Sequence, residues 1–179
     1  MVILFLADGF EEIEALATVD VLRRAGLEVC TVGIGGKRVT GSHGIAVEAD
    51  ITELPPLNNV QAVVLPGGLP GTTHLDASPL VEQCLRQAAA TDSCLLCAIC
   101  AAPSVLGKRG LLSGKRATCY PGYESELHGA AATGNAVEVD GNCITAKGAG
   151  VTLAFALAIV ARLISPEKAK QIGDAMQCR

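Results

Sequence analysis

Cys100 is the residue of this chain best suited to nucleophilic chemistry. It follows the apolar run Cys94-Leu95-Leu96-Cys97-Ala98-Ile99 and leads directly into Ala101-Ala102-Pro103. An apolar run of that length reads as a buried strand, and small residues ending in proline can open a helix. A thiol at such a turn points out of the sheet edge and lies near helix N-terminal N–H groups, a setting that lowers a cysteine pKa. Ala98-Ile99-Cys100-Ala101-Ala102 fits the small-x-nucleophile-x-small pattern of a nucleophile elbow, with Ala where Gly is usual at the last position. In a chain this rich in alanine the same pattern also describes a buried core cysteine.

Other segments carry groups that such a thiol would use. Gly67-Gly68 follows a short apolar run. Its backbone N–H groups, with that of Ala101, would form an oxyanion hole, although Gly-Gly also serves as a plain tight turn. Glu11, Glu12 and Glu14 diverge around a helix, so at most one or two can face a site and the rest face solvent. A carboxyl beside a thiolate is held protonated by burial and like charge, donates a hydrogen bond to sulfur, and can move protons. Histidine is the usual partner of a catalytic cysteine. His43, His74 and His128 all lie in loops or near helix ends, none tied to Cys100 by spacing.

Cys94, Cys97 and Cys100 also form C-x2-C-x2-C, but the next cysteine is Cys119, too far for the iron–sulfur spacing. On a strand, positions three apart point to opposite faces. Cys94 and Cys97 are therefore expected to diverge, as are Cys97 and Cys100. No metal and no cofactor is expected. Eight cysteines in 179 residues do not require a disulfide framework in a chain with a good core.

These groups need a scaffold. Half of the residues are apolar and only 3% are aromatic, which suits an α/β core of Ala, Val, Leu and Ile. Strands are predicted over 2–7, 27–34, 62–65, 94–99, 116–119, 136–140 and 143–146, the last two joined by a hairpin turn at Gly141-Asn142. A helix opens at Phe10, ends at Gly26 and turns Ile13, Leu16, Ala17 and Val21 inward. Further helices are predicted from Ser78-Pro79 to about Ala90, from the elbow to about Leu106, over 151–163, and from Ser165-Pro166 to about Met176. Residues 33–44 carry five glycines and suit a loop with a small hairpin, with 45–49 as a short strand. Residues 66–71 are too rich in Gly and Pro for regular structure, and 123–128 suits a helical turn or two. The order is that of a doubly wound, mostly parallel sheet with helices on both faces. Such sheets place sites outside the carboxyl ends of their strands, where 8–14, 66–71 and 100–103 all fall.

The net charge is −4 with no cluster of basic residues, so nucleic acid is not an expected partner. Residues 151–161 fall short of the ~20 needed to span a membrane. With no export signal at the N-terminus, a cytoplasmic location is expected.

Taken together, Phe10-Glu11-Glu12-Ile13-Glu14, Val19-Asp20-Val21-Leu22-Arg23-Arg24-Ala25-Gly26, Val63-Val64-Leu65-Pro66-Gly67-Gly68, Ala98-Ile99-Cys100-Ala101-Ala102-Pro103 and Phe155-Ala156-Leu157-Ala158-Ile159-Val160 resemble the ThiJ/PfpI superfamily. The branch is that of the Parkinsonism-associated deglycase and its bacterial relatives. The resemblance covers nearly the whole chain as one domain, residues 1–179. It implies a flavodoxin-like α/β fold, akin to class I glutamine amidotransferases, and a homodimer. It implies Cys100 as the oxidisable nucleophile, Glu14 as the protonated carboxyl touching its sulfur, and Gly67, Gly68 and Ala101 as backbone donors. No cofactor or metal is implied. Protease-like members carry His directly after the cysteine, where this chain has Ala101. Some relatives have His where Tyr120 stands and Arg near His43. The implied activity is glyoxalase or deglycase chemistry on small dicarbonyls or early glycated adducts, through a Cys100 hemithioacetal. The alternatives are an oxidative-stress sensor or chaperone acting through Cys100 oxidation, and an amidotransferase- or peptidase-like hydrolase.

Overall fold

The computed structural model describes residues 1–91 and 93–178. In chain order the strands are β1 (Val2–Ala7), β2 (Val29–Ile34), β3 (Arg38–Thr40), β4 (Ala46–Glu48), β5 (Ala62–Leu65), β6 (Leu95–Ile99), β7 (Arg116–Ala117), β8 (Ala131–Ala132), β9 (Val137–Asp140) and β10 (Cys143–Ala146). The α-helices are α1 (Thr18–Arg24), α2 (Gly71–Ala77), α3 (Pro79–Ala89), α4 (Pro103–Lys108), α5 (Thr152–Leu163) and α6 (Pro166–Ala175). A π-helical turn, Ile13–Ala17, leads into α1.

The main sheet runs β2-β1-β5-β6-β10-β9. Every pairing in it is parallel except β9 with β10. Its central strands are nearly continuous apolar runs because both faces are covered. Val2, Leu4 and Leu6 of β1 pack with Leu22 of α1 and with Phe155 and Ile159 of α5. Ile3, Phe5 and Ala7 pack with Leu75 of α2, Leu85 of α3 and Leu106 of α4. The period of two along one strand thus feeds two helical layers. This is the flavodoxin-like, mostly parallel α/β arrangement the sequence predicts.

The hairpin expected within residues 33–44 forms instead between β3 and the short strand expected at 45–49, here β4, and β9–β10 turn at Gly141, whose φ is 59°. Helix α2 is absent from the sequence reading. Gly71, Thr72 and Thr73 are weak helix formers, and the turn is held by the Thr72 N–H donating to the Gly68 carbonyl (2.8 Å). Residues 116–119 add no strand to the main sheet: only Arg116–Ala117 is extended, and it pairs with β8 in a separate ribbon.

The first helix also differs. Its buried positions are Glu14, Ala15, Thr18, Val19, Val21 and Leu22, whereas Ile13 is 55% exposed and Leu16 37%. Hydrophobicity alone turns Ile13 and Leu16 inward. Here a carboxyl and a hydroxyl hold inner positions because each has a polar partner there, described below.

Candidate active site

Cys94 and Cys97 belong to opposite core layers, as strand geometry requires. Cys100 does not continue that alternation. It lies one residue past β6 at φ 64° and packs against the same layer as Cys97. A left-handed conformation at a side chain-bearing residue costs about 1–3 kcal/mol, and the neighbours fix it from both sides. The Cys100 N–H donates to the Ala146 carbonyl (2.9 Å), and the Tyr120 N–H donates to the Cys100 carbonyl (2.7 Å). The elbow is therefore clamped between β10 and the segment after β7. Ala102 and Pro103, where α4 begins, are buried and small, as the crowded turn demands.

Three strand-end segments converge here. The Glu11 N–H donates to the Gly67 carbonyl (2.9 Å), and the Gly67 N–H donates to Glu14 Oε2 (2.8 Å). A Cβ at Gly67 would lie 2.6 Å from Cys100 Cβ and 2.7 Å from Glu14 Oε2, so only glycine lets this backbone pass between the two side chains. The Glu14 carboxyl is 1% exposed. Its Oε1 has no hydrogen-bond partner among the described residues, and the Cys100 thiol lies near enough to act on the carboxyl's pKa.

Sequence and structure part over Gly67. Its N–H is committed to Glu14, so it is not a donor toward sulfur. The donors reaching the Cys100 sulfur are the Gly68 and Ala101 N–H groups. The expected lowering of the thiol pKa is also reversed. Burial first, then the Glu14 charge and the hydrogen bond with Glu14, push Cys100 up to about 12 against the pull of the two N–H groups. Helix α4 is only six residues long, and its start is outweighed by desolvation. Glu14 moves in parallel: desolvation raises it to about 7 despite the Gly67 and Cys100 hydrogen bonds, with the Glu11 charge adding to the rise. Two neighbouring acids that each resist ionisation while the other is charged form one coupled pair. When Glu14 holds the proton, the charge acting on Cys100 disappears and the carboxyl becomes a donor to sulfur. The thiolate is thus favoured only in company with a neutral Glu14.

None of the three glutamates faces solvent outright. Glu12 is buried and holds the loop between β3 and β4. Its Oε1 accepts the His43 N–H (2.8 Å) and the Ile45 N–H (3.3 Å), and Oε2 meets His43 Nδ1 (2.9 Å). Desolvation raises the Glu12 pKa, but these hydrogen bonds, His43 foremost, outweigh it and hold it at about 2. The same contact raises the His43 pKa. Glu11 shares Ser42 Oγ (3.2 Å). Donor atoms of Glu11, Glu12 and His43 lie within 4.8 Å of one another, and both Glu12 oxygens are already engaged with the loop. His74 Nδ1 bonds the Asp8 carbonyl (2.8 Å), and His128 is exposed. Among the described residues no histidine hydrogen-bonds Cys100. All eight cysteines are free thiols.

Tyr120, marked in the sequence only as the position where some relatives carry His, reaches the site through its backbone. Its N–H holds the Cys100 carbonyl and its ring, half exposed, lies against Gly148. A lone exposed aromatic beside a turn carried no signal by spacing.

The chain is 38% identical over 179 residues to protein dj-1beta of Drosophila melanogaster, covering 97% of this chain and 95% of that one. It is 32% identical to the glutathione-independent glyoxalase DJR-1.2 of Caenorhabditis elegans, covering 95% and 91%. It spans only 41% of protein DJ-1 homolog B of Arabidopsis thaliana, at 37% identity. Among solved structures, a cysteine-to-alanine mutant of a DJ-1 superfamily protein from Salmonella typhimurium superposes with a TM-score of 0.91 at 34% identity, covering 98% of this chain and 97% of that one. The DJ-1/PfpI family model matches residues 1–162, and the chain belongs to that family.

Proposed function

We propose that the protein is a cofactor-independent cysteine enzyme that isomerises and hydrates small dicarbonyls such as methylglyoxal to hydroxy acids, or releases early glycated adducts by the same chemistry. The observation that carries this reading is the buried Glu14 carboxyl beside Cys100, the two side chains separated only by the Gly67 backbone, with one oxygen fixed by the Gly67 N–H and the other without a hydrogen-bond partner among the described residues. Cys100 adds to the aldehyde carbon as Glu14 passes a proton to the new alkoxide, giving a hemithioacetal. Glu14, now a carboxylate, removes the proton from that carbon to give an enediol and returns it to the neighbouring carbon, while the hydroxyl proton passes to the former ketone oxygen. The resulting thioester is hydrolysed, releasing the hydroxy acid and restoring the thiol. The Gly68 and Ala101 N–H groups are placed to stabilise oxyanions along this course. The name of the nematode relative, a glutathione-independent glyoxalase, fits a reaction in which the thiol comes from the protein.

The test is methylglyoxal turnover without glutathione, followed by NMR. Lactate formation that is lost in Cys100→Ala is the expected result. Turnover equal in the two proteins removes the reading. Absent turnover together with selective peroxide oxidation of Cys100 would leave the sensor reading in its place.

We also propose that this enzyme works as a homodimer in the cytoplasm. Exposed Ile13 and Leu153 line an apolar groove of about 740 Å³ between the π-turn, α5 and α6, with Leu16 exposed nearby. A contiguous exposed apolar area is a common mark of an interface. Ile13→Asp is expected to halve the mass measured by light scattering; an unchanged mass would place any interface elsewhere. Eight free thiols suit a reducing compartment, and among the described residues no helix is long and apolar enough to cross a membrane.

A further inference from the structure

Glu14 does not sit in an ordinary α-turn. It lies within the π-helical turn Ile13–Ala17. In an α-helix the Glu14 carbonyl would take the N–H of Thr18, four residues on. Here the Thr18 N–H is directed to the Ala15 carbonyl instead. The Glu14 carbonyl is taken by the Thr18 hydroxyl, which donates to it at 2.6 Å. Thr18 is 0% exposed, so water cannot replace that hydroxyl. A side chain that enters the ladder in this way widens or bends a helix. Single π-turns of this kind recur where a side chain must be aimed.

We infer that Thr18 is a positioning residue for Glu14: its hydroxyl, substituting for its own N–H, holds the wide turn that delivers the Glu14 carboxyl to Gly67 and Cys100. Nothing else local can play this part. The flanking Leu16 and Ala17 have no side-chain donor, and the turn has no side-chain cap at its start. With the hydroxyl gone, the nearest donor for the Glu14 carbonyl is the residue-18 N–H. The turn then reverts to regular α geometry, and the carboxyl is drawn away from the Gly67 N–H and the sulfur. A shift of about 1 Å at a reacting group can cost on the order of 100-fold in rate.

This inference rests on the proposed role of Glu14, and its test separates the two. Thr18→Val removes the hydroxyl at nearly constant volume, and Thr18→Ser restores it. The first readout needs no catalysis: the pH dependence of Cys100 alkylation by iodoacetamide, followed on the Cys100-containing peptide. Thr18→Val is expected to lose the Glu14-dependent rise near neutrality, and Thr18→Ser to keep it. The second readout is turnover of methylglyoxal. Thr18→Val is expected to lower kcat by about 10- to 100-fold with KM within about twofold, and Thr18→Ser to recover most of the rate. Should Thr18→Val not fold, Thr18→Ala serves the same comparison. A hydroxyl-free variant that folds and keeps the parent alkylation profile overturns the inference. A changed profile in a protein whose parent turns over no methylglyoxal upholds the positioning role and removes the enzymatic one.

Discussion

Glu14→Gln is expected to lose activity and gain stability at the same time. Turnover of methylglyoxal should fall by about 10²- to 10⁴-fold, the usual contribution of a positioned proton-transfer group. The amide can still accept the Gly67 N–H and donate to sulfur, but it cannot exchange a proton. The stability effect follows from the sign of the Glu14 shift. Its carboxyl ionises at 4.5 when exposed and at about 7 in the fold, mainly through desolvation. Between those two values the folded chain holds more protons than the unfolded one, so stability falls as pH rises across that window and stays lower above it. The full difference is about 3 kcal/mol at ~1.4 kcal/mol per pH unit. At pH 8 the amide variant is therefore expected to be more stable by up to about 3 kcal/mol, or roughly 5–10 °C in Tm for a chain of this size. At pH 4, where the parent carboxyl is already neutral, the two proteins should melt together. Paired urea titrations at the two pH values check this. Equal stability at pH 8 would mean that Glu14 ionises without penalty.

Gly68→Ala is expected to damage fold and site together. Gly68 has φ 92°, and a Cβ there would lie 2.3 Å from the Glu11 nitrogen, 2.5 Å from the Gly9 carbonyl oxygen and 2.6 Å from the Phe10 carbonyl carbon. These are backbone atoms of the segment that leads into Glu14, held by the Glu11 N–H to the Gly67 carbonyl and by the Phe10 N–H to the Ala7 carbonyl. They cannot turn aside as a side-chain tip would. A left-handed alanine costs about 1–2 kcal/mol, and overpacking against a rigid neighbour adds about 1–3 kcal/mol. Together these give a loss of about 2–5 kcal/mol, read as a drop in the urea midpoint. Gly26→Ala separates the two causes: its φ is 86°, but nothing lies within 4 Å of the added Cβ. It should lose only the conformational part, about 1–2 kcal/mol. Equal losses for the two variants would show that the close approach at Gly68 does not matter.

Much of the scaffold was legible because it rests on simple periodicities. The runs at 2–7, 62–65 and 94–99 read as strands from apolar content alone, and each lies within a residue of β1, β5 and β6. Ser78-Pro79 marked α3 correctly, with Ser78 capping the Val81 N–H. The convergence of three strand-end segments followed from topology, since parallel strands bring their carboxyl ends to one edge. What stayed hidden depends on single polar contacts between distant residues. The inward face of the first helix is set by Glu14 meeting Gly67 and Thr18 meeting the Glu14 carbonyl. No hydrophobic pattern encodes either contact. The diversion of the Gly67 N–H to Glu14 likewise links residues 53 apart in sequence. The burial of Glu12 depends on the loop carrying His43 folding over it. The direction of the Cys100 shift is a balance of burial, charge and two N–H groups; the groups themselves were visible in the sequence, but the dominance of burial was not.

The central claim is that Cys100 and Glu14 share one proton, and that the reactive thiolate exists beside a neutral Glu14. The direct measurement is the rate of Cys100 alkylation from pH 5 to 10 in the parent protein and in Glu14→Gln. The parent should show a rise centred near the Glu14 value of about 7, where the pair loses its first proton, followed by a plateau. Full ionisation of the thiol waits until about 12. Glu14→Gln should lack the neutral step and rise as a single independent thiol. One rise near the ordinary thiol pKa of ~8.5 in both proteins, unmoved by the substitution, would contradict the shared proton and the chemistry built on it.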